Sequence, residues 1–388
     1  MPNKTLEKWE EKTLEDILDK GSSNLSANKL DNCDGEYPVY GASGLVKKTN
    51  FYQQDKEYLA IIKDGAGVGR VYHYEPKSSV LGTLQYLFPK ENVNIRFAYY
   101  YLLSLDFAKY YQGAAIPHIY YKDYKNEKLV LPPLLEQQRI VGILDEAFEN
   151  IEKAKQNALQ NLNNAKELFE NLLNGIFVNK IDGWNKKTLE EIISKEQYSM
   201  KRGPFGSSLT KSCFVPKGIR VFEQYNPINN DPYWARYYIT KEKYEELKAF
   251  TAKAGDLLVS CSGVTLGRIV ELPDNVETGI INQALLKIKL DNSKILNKFF
   301  IYLFRSKDFQ NKIFEYSQGV AIPNMVGVKE LKKIKINYPS IEEQQKIVAQ
   351  LDELQEQTKK LEQIYEQKLK DLDELKQSIL QKAFNGEL

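Results

Sequence analysis

Two stretches of this chain, 207 residues apart, are near copies of one another, and each runs on into a helix far longer than one globular core needs. A repeat of this kind constrains the fold more than any local propensity does. Pro132-Pro133-Leu134-Leu135-Glu136-Gln137-Gln138-Arg139-Ile140-Val141 returns as Pro339-Ser340-Ile341-Glu342-Glu343-Gln344-Gln345-Lys346-Ile347-Val348. From Leu134 to Glu146, 8 of 13 positions are identical at that offset, and Arg139/Lys346 keeps its charge. After the first copy, apolar or small residues fall at Ile140, Leu144, Ala147, Ile151, Ala154, Ala158, Leu162, Ala165, Phe169, Leu172 and Ile176. Their three- and four-residue steps are a coiled-coil a/d pattern with one stutter at Ala158. The second copy keeps the stripe through Ile347, Leu351, Leu354, Leu361, Leu369, Leu372 and Ile379, interrupted by Thr358 and Lys376. A proline start and Gly386 near the far end fit helix termini. Each helix then spans roughly 65 Å at 1.5 Å per residue. Unless they are unrelated amphipathic helices on separate cores, two such helices pack parallel or antiparallel, and an antiparallel pair places the intervening domains at opposite ends of a rod, related by an approximate two-fold.

The segments between the helices repeat more faintly. Trp9, Lys12-Thr13-Leu14-Glu15-Asp16-Ile17 corresponds to Trp184, Lys187-Thr188-Leu189-Glu190-Glu191-Ile192, and each threonine precedes an acid by three residues, as in a capping box. Gly69-Arg70 matches Gly267-Arg268 and Gln85 matches Gln283, both 198 residues on; Gly113-Ala114-Ala115-Ile116-Pro117-His118 matches Gly319-Val320-Ala321-Ile322-Pro323-Asn324. Tyr58 to Ile62 and Asp256 to Ser260 read as strands, Leu102 to Tyr111 and Phe299 to Phe314 as helices. The expected fold is α/β (α+β): two copies of a globular domain, separated by two long antiparallel coiled-coil helices. The segments are 1–131, 132–180, 181–337 and 338–388.

Composition sets limits. With 42% hydrophobic and 27% charged residues the chain reads as soluble, and its apolar runs fall short of the roughly 20 residues of a membrane span. Met1 to Lys20 is charged and does not look like a signal peptide, so a cytoplasmic location is expected. Cys33, Cys213 and Cys261 form no CxxC pair, and with His73 and His118 the only histidines, neither a disulfide framework nor a zinc site is expected. A net charge of +2 means that any nucleic-acid contact must come from local patches.

The segment order, with PPLLEQQRIVGILDE and PSIEEQQKIVAQLDE opening the helices, closely resembles the HsdS family of type I restriction–modification specificity subunits. Tyr37-Pro38-Val39-Tyr40-Gly41, Gly203-Pro204-Phe205-Gly206-Ser207 and Gly255-Asp256-Leu257-Leu258-Val259-Ser260, followed by Ile280-Ile281-Asn282-Gln283, add to the likeness, which covers essentially the whole chain. The resemblance implies two target-recognition domains, each reading one half of a bipartite double-stranded DNA site in the major groove. It implies helices that set the spacer and dock two methyltransferase (modification) subunits, with Gln137, Gln138, Ile140, Leu144, Gln344, Gln345, Ile347 and Leu351 on them. Methylation and cleavage would fall to modification and restriction subunits, which would hold S-adenosylmethionine, ATP and Mg; no cofactor or metal is expected in this chain, and no membrane partner. A recognition subunit of a related bifunctional restriction–methylation system is the alternative, and a scaffold that binds no DNA is a third reading.

Residues shared by both domains cannot distinguish two half-sites. Arg70 and Arg268 therefore suit phosphate contacts, or else a structural ion pair, and Gln85 and Gln283 suit either role. Base readers are polar or basic loop residues that differ between the halves: Lys47, Lys48, Lys63, His73 and His118 in the first; Lys201, Arg202, Ser207, Ser208 and Lys211 in the second. Gln224 and Asn226 have the side-chain type that pairs with adenine edges. A solvated surface role competes with a base contact for each. Three fragments tempt toward enzyme chemistry and fail. Gly65-Ala66-Gly67-Val68-Gly69-Arg70 is GxGxG without a helix after it. Asp231-Pro232-Tyr233-Trp234 and Asn226-Pro227-Ile228 lack the second proline of a methyltransferase loop. No Gly-Lys-Ser/Thr phosphate loop exists. Asp145-Glu146 reads as part of a solvated coiled-coil face.

Overall fold

A computed structural model describes residues 9–31, 33–113, 116–178, 183–205, 208–261, 263, 265–314 and 325–388. They divide into two compact units, one of residues up to 160 together with 365–388, the other of 161–364. The division thus falls inside both long helices and not at their ends, because each helix end is packed into the globular part beside it.

In the first unit, β1 (Glu10–Thr13) leads into a single turn, α1 (Leu14–Ile17), and on to β2 (Leu18–Ser22), β3 (Tyr37–Gly41) and β4 (Gly44–Thr49). Then come β5 (Tyr58–Ile62), β6 (Val71–Tyr74), β7 (Ser79–Val80) and β8 (Leu84–Pro89). Helix α2 (Ile95–Ser104), the turn α3 (Tyr121–Tyr124) and β9 (Lys128–Leu131) precede the long α4 (Leu134–Val178). Strand β9 returns antiparallel to β1, closing the domain where the helix begins. The main sheet runs β2-β8-β5-β6, and a smaller one β4-β3-β7. Every residue of Tyr58–Ile62 is buried, as a continuous apolar run in a central strand should be. Leu144 and Ile140 of α4 and Leu380 and Ala383 of the last helix enter the same core as Phe97 and Leu102.

The second unit repeats this plan: β10 (Asn185–Thr188), α5 (Leu189–Ile192), β11 (Met200–Arg202), β12 (Ile219–Phe222), α6 (Tyr225–Asn229), β13 (Tyr237–Ile239) and α7 (Lys241–Glu246). It continues with β14 (Thr251–Ala252), β15 (Leu257–Ser260), β16 (Ile269–Glu271), β17 (Gly279–Ile281) and β18 (Leu285–Ile288). Helices α8 (Asn297–Arg305), α9 (Lys307–Phe314) and α10 (Val328–Leu331), strand β19 (Lys335–Tyr338) and the long α11 (Ile341–Phe384) complete it. The main sheet β11-β18-β15-β16 has the order of β2-β8-β5-β6. The smaller sheet β13-β12-β17-β14 keeps the parallel neighbour pair, β12 with β17 as β3 with β7, and adds an edge strand. The α/β (α+β) duplication therefore holds strand by strand.

Both capping boxes form: Thr13 N–H and Oγ1 each donate to Asp16 at 2.8 Å, and the same groups of Thr188 donate to Glu191 at 2.8 and 2.9 Å. The Thr188 backbone N–H foremost, then the Lys187 ammonium and the Thr188 hydroxyl, hold the Glu191 carboxyl down at about 2.

Three sequence readings shift. The helix expected over Leu102 to Tyr111 lies earlier, because the Asn94 side chain accepts the Arg96 and Phe97 N–H groups and starts α2 at Ile95. Asp106 then accepts the Ala108 N–H and opens a separate 3-10 turn at Phe107–Tyr110. The helix expected over Phe299 to Phe314 is two helices, broken where the Ser306 hydroxyl donates to the Leu303 carbonyl at 2.7 Å. On α4 the apolar stripe moves by one residue near its end: Leu172 is exposed and Leu173 is buried in the second core.

Within the first unit the two long helices run antiparallel, since Phe148 lies against Lys376 and Lys155 pairs with Asp373. In the second unit both helices line the domain core through Leu173, Ile347 and Leu351. Truncating Leu144 or Leu351, both fully buried, should each cost about 2–5 kcal/mol. Urea unfolding followed through near-ultraviolet circular dichroism measures that loss. A cost below ~1 kcal/mol would mean that the helices merely lie on the domains.

Candidate nucleic-acid interface

Antiparallel order gathers four strand termini at one end of each main sheet. In the first unit these are the ends of β2 and β5 and the starts of β6 and β8. In the second they are the ends of β11 and β15 and the starts of β16 and β18. The loops and strand termini at these ends carry about half of the candidate side chains.

The hairpin loop after β5 is matched by the loop after β15, bond for bond. Ile62 N–H donates to Arg70 O and Gly69 N–H to Ile62 O, both at 2.9 Å; Ser260 N–H donates to Arg268 O at 2.9 Å and Gly267 N–H to Ser260 O at 3.0 Å. Gly69 and Gly267 have φ of +86° and +78°, which favours glycine. A Cβ on Gly69 would stand 2.7 Å from Phe107 Cβ. The glycine-rich run is thus a reverse turn into a strand, with no helix for a cofactor phosphate. Arg70 and Arg268 emerge from it exposed, and neither has an ion-pair partner among the described residues. Behind Arg268, the Arg305 guanidinium donates to Ile269 O at 3.3 Å, and burial pushes its pKa below the ordinary range.

Around Arg70, the segment carrying His118 is held on the hairpin by Gly65 N–H to Pro117 O at 3.0 Å and Ile119 N–H to Lys63 O at 2.9 Å. Lys63, Arg70 and His118 are therefore brought together, beside Ile116, whose side chain is 66% exposed. In the second unit Arg202 ends β11, donates to Cys261 O at 3.5 Å, and lies 5.8 Å from the centre of the Phe205 ring, itself 70% exposed. Ser208 Oγ donates to Phe205 O at 3.0 Å. Asn282 N–H donates to Phe222 O at 3.0 Å, continuing the β12–β17 pairing of the smaller sheet and placing exposed Gln283 and half-buried Gln224 at the same end.

Other candidates lie elsewhere. Lys47 Nζ donates to Asp31 O and pairs with Asp34, each at 2.9 Å. Exposed Lys48 faces Pro38, at the far end of its hairpin from the turn. His73 pairs with Glu57 at 3.0 Å, on the strand opposite Leu59. Lys201 sits 5.2 Å from the Tyr198 and Phe250 rings in mid-strand. Lys211 is exposed on a separate turn, Lys211–Cys213. Asn226 is buried with its amide spent on backbone: Oδ1 accepts from Glu223 N–H at 2.9 Å, and Nδ2 donates to Asp231 O at 2.9 Å and Trp234 O at 2.8 Å. It has no edge left for adenine. Ser207 lies outside the described residues, as do Ala114, Ala115 and Gly319 to Asn324 of the third repeat match.

The Gln85–Gln283 match does not survive the sheet register. Gln85 lies opposite Ile61, and the residue opposite the equivalent Val259 is Leu286, so Gln283 belongs to the loop before β18. Gln85 Nε2 donates to Gly21 O at 2.7 Å and holds strand to strand. Exposed Phe205 and Ile116 were missed as site residues, because an apolar side chain in a glycine-rich loop carries no sequence mark of exposure.

The eight helix positions are of three kinds. Gln138 and Gln345 are exposed, Ile140, Leu144, Ile347 and Leu351 are core, and Gln137 and Gln344 are buried. Gln137 Oε1 accepts from Asn94 N–H at 2.8 Å while its Nε2 donates to Pro132 O and Asn92 O at 2.8 and 3.0 Å. Gln344 does the same with Leu296 N–H at 2.8 Å and with Pro339 O and Lys294 O at 3.0 and 2.9 Å. Two turns on, Asp145 accepts from the Tyr100 hydroxyl and pairs with Arg96 at 2.5 Å, so it docks the helix and is not part of a solvated face. Asp352 accepts from the Tyr302 hydroxyl at 2.6 Å and pairs with Lys298 at 2.7 Å. Burial, reinforced by Asp145, raises the Tyr100 hydroxyl to about 12.

A family model for the type I restriction modification DNA specificity domain matches residues 6–161 and 181–371. The MjaVIII specificity subunit of a type I restriction enzyme from Methanocaldococcus jannaschii is 24% identical over 412 aligned positions, covering 98% of this chain and 93% of that one. The EcoDI specificity subunit from Escherichia coli is 22% identical, over 98% of this chain and 88% of its own. Among solved structures, a chain from work on complex assembly and conformational transition of the type I R-M system aligns over 100% of both chains with a TM-score of 0.75 at 18% identity. The HsdS subunit from Thermoanaerobacter tengcongensis aligns over 100% of this chain and 99% of its own with a TM-score of 0.57, also at 18% identity. At such identities the structures speak to the fold.

The hairpin glycine and a helix glycine should respond in opposite directions. Gly69→Ala, with its positive φ and a close Phe107, should lose about 1–3 kcal/mol. Gly142→Ala, in open space on α4, should gain up to about 1 kcal/mol. Chemical denaturation of the two variants distinguishes them, and a neutral Gly69→Ala would show that the turn is not held as described.

Proposed function

The chain belongs to the family of type I restriction modification DNA specificity proteins, and from that premise we propose that it reads a bipartite, interrupted DNA site, one half per globular domain. What carries this reading is a single observation: two domains whose main sheets share one strand order present different loops at the same end of that sheet. Equal frames meet the groove in equal poses, while different side chains read different bases. Arg70 and Arg268, identical in both halves, take the phosphates. Lys63 and His118 in one half, and Arg202, Gln224 and Gln283 in the other, are the polar groups offered to base edges in the major groove. The long helices set the separation of the half-sites and, through exposed Gln138 and Gln345, offer ground for modification subunits. Those subunits, with restriction subunits, supply methylation and cleavage along with S-adenosylmethionine, ATP and Mg. The work is done on DNA in the cytoplasm, and no described helix is long and apolar enough to cross a membrane.

The test is co-purification with a methyltransferase subunit, mapping of methylated adenines, and salt-titrated binding to the mapped duplex. A chain that shows no sequence preference at any salt would be a scaffold, and the reading would fall. Arg70→Ala and Arg268→Ala should weaken binding to all sequences alike and each lower the slope of log affinity against log salt by about one; a base-specific loss would reassign them. A matched insertion of four residues after Lys155 and after Asp373, which the ion pair brings side by side, adds about one 5.4 Å turn. The preferred spacer should lengthen by roughly one to two base pairs, and an unchanged spacer would remove the helices from that role.

A further inference from the structure

The buried carboxamides of Gln137 and Gln344 reach further than fold stability. Each stands at the first turn of a long helix, and each is at most 1% exposed. The three hydrogen bonds of one are those of the other, to within 0.2 Å. The partners are the chain entering a domain helix (Asn92 O and Asn94 N–H; Lys294 O and Leu296 N–H) and the residue two before the start of the long helix (Pro132 O; Pro339 O). Both donors and the acceptor are therefore spent inside the domain, and none is offered to a partner subunit. A side chain with every polar group satisfied by rigid backbone can be placed in one orientation only.

A second attachment follows eight residues along, where Asp145 meets Tyr100 and Arg96, and Asp352 meets Tyr302 and Lys298. At 1.5 Å per residue the two points are about 12 Å apart on one helix face. One point would fix where the helix touches its domain; two fix its direction. A small error in that direction grows along a helix of 45 or 44 residues.

We infer that Gln137 and Gln344 are positioning residues for half-site spacing: each sets the angle at which a reading domain leaves its helix, so that breaking either clamp broadens the spacer lengths tolerated while leaving the bases read unchanged. The inference rests on the bipartite reading proposed above. Exact spacing needs a stiff junction as well as a stiff rod, and the same junction is built twice on two domains that otherwise differ in their loops.

Gln344→Glu is the sharpest variant, because it keeps the acceptor and the volume and turns the donor pair into a carboxylate oxygen facing two carbonyls. The full chain, assembled with its modification subunits, is offered duplexes with both cognate half-sites and spacers one base pair shorter, equal and one longer. The wild type should methylate one spacer. Gln344→Glu and Gln137→Glu should raise methylation of the off-length duplexes relative to the correct one by about tenfold, about 1.4 kcal/mol. Discrimination against single-base changes in each half-site should stay within about twofold, and Gln156→Glu, at an exposed position in mid-helix, should match the wild type. A stringent wild type with equally stringent variants overturns the inference, as does a variant that melts like the wild type yet loses methylation at every spacer. Should the glutamate variants fail to fold, Tyr302→Phe, which removes the hydroxyl that donates to Asp352 and Gln355 at the same junction, is measured by the same ratio, and unchanged stringency there also overturns it. A wild type indifferent to spacing at mapped sites would instead sink the bipartite reading itself.

Discussion

A buried glutamine amide holds each long helix to its own domain, and the rest of the architecture follows from how completely that amide is satisfied. Leaving a buried donor or acceptor unpaired costs about 1–3 kcal/mol, so three bonds to backbone strongly disfavour any other docking of the first helical turn. The bonded backbone is itself constrained. Asn94 caps α2 with its side chain while its own N–H is held by Gln137. The cap, the long helix and the strand that leads into it therefore form a single junction. The aspartate–tyrosine contact two turns on converts that anchor into a direction. In the second unit the junction recurs with Leu296, Lys294 and Pro339 as partners.

Around this frame the two units diverge where divergence is cheap. The hairpins β5–β6 and β15–β16 stay in step at an offset of 198 residues, but the strands facing them are related by 201. Three residues have entered between, in loops, where insertion costs little in closure entropy. The smaller sheets show the same thing on a larger scale. β3 and β4 are joined by a tight turn at Ala42 and Ser43, whereas β12 and β13 are joined by residues 223 to 236, which carry α6. The α6 addition lies at the sheet end that holds the exposed cations, whereas the three extra residues lie between β16 and β17, at the other end of the main sheet. Conserved strands thus carry shape, and the loops carry the difference between the halves.

Much of this was legible in the sequence because it is periodic. The long helices, their ends, both capping boxes and the duplication all depend on spacing along the chain, and the strands at Tyr58 and Leu257 depend on unbroken apolar runs. The candidate site was legible only in part. Arg70 and Arg268 were found because a glycine before an arginine is visible in both copies. Asn226 was misread, and Gln85 was left between two roles, because a polar side chain looks the same in sequence whether backbone or solvent satisfies it. Lys47 and His73 likewise gave no sign of the carboxylates, Asp34 and Glu57, that stand against them. Phe205 and Ile116 were overlooked for the converse reason, since apolar residues are assigned to a core by default.

What the sequence determined by itself, then, was the order of parts: domain, helix, domain, helix, with equal helices and matching openings. Periodicity and self-similarity are properties of the chain and need no third dimension. Which residues share a sheet end, which glutamine is buried and which exposed, and which strand faces which were decided by the tertiary structure alone. Gln137 and Gln138 make the case plainly: they are the same residue type, adjacent in sequence, and about 100° apart around a helix of 3.6 residues per turn. One turns into the domain and fixes the helix there, and the other faces solvent. No property of either residue foretells which, because the choice belongs to the surface the helix packs against.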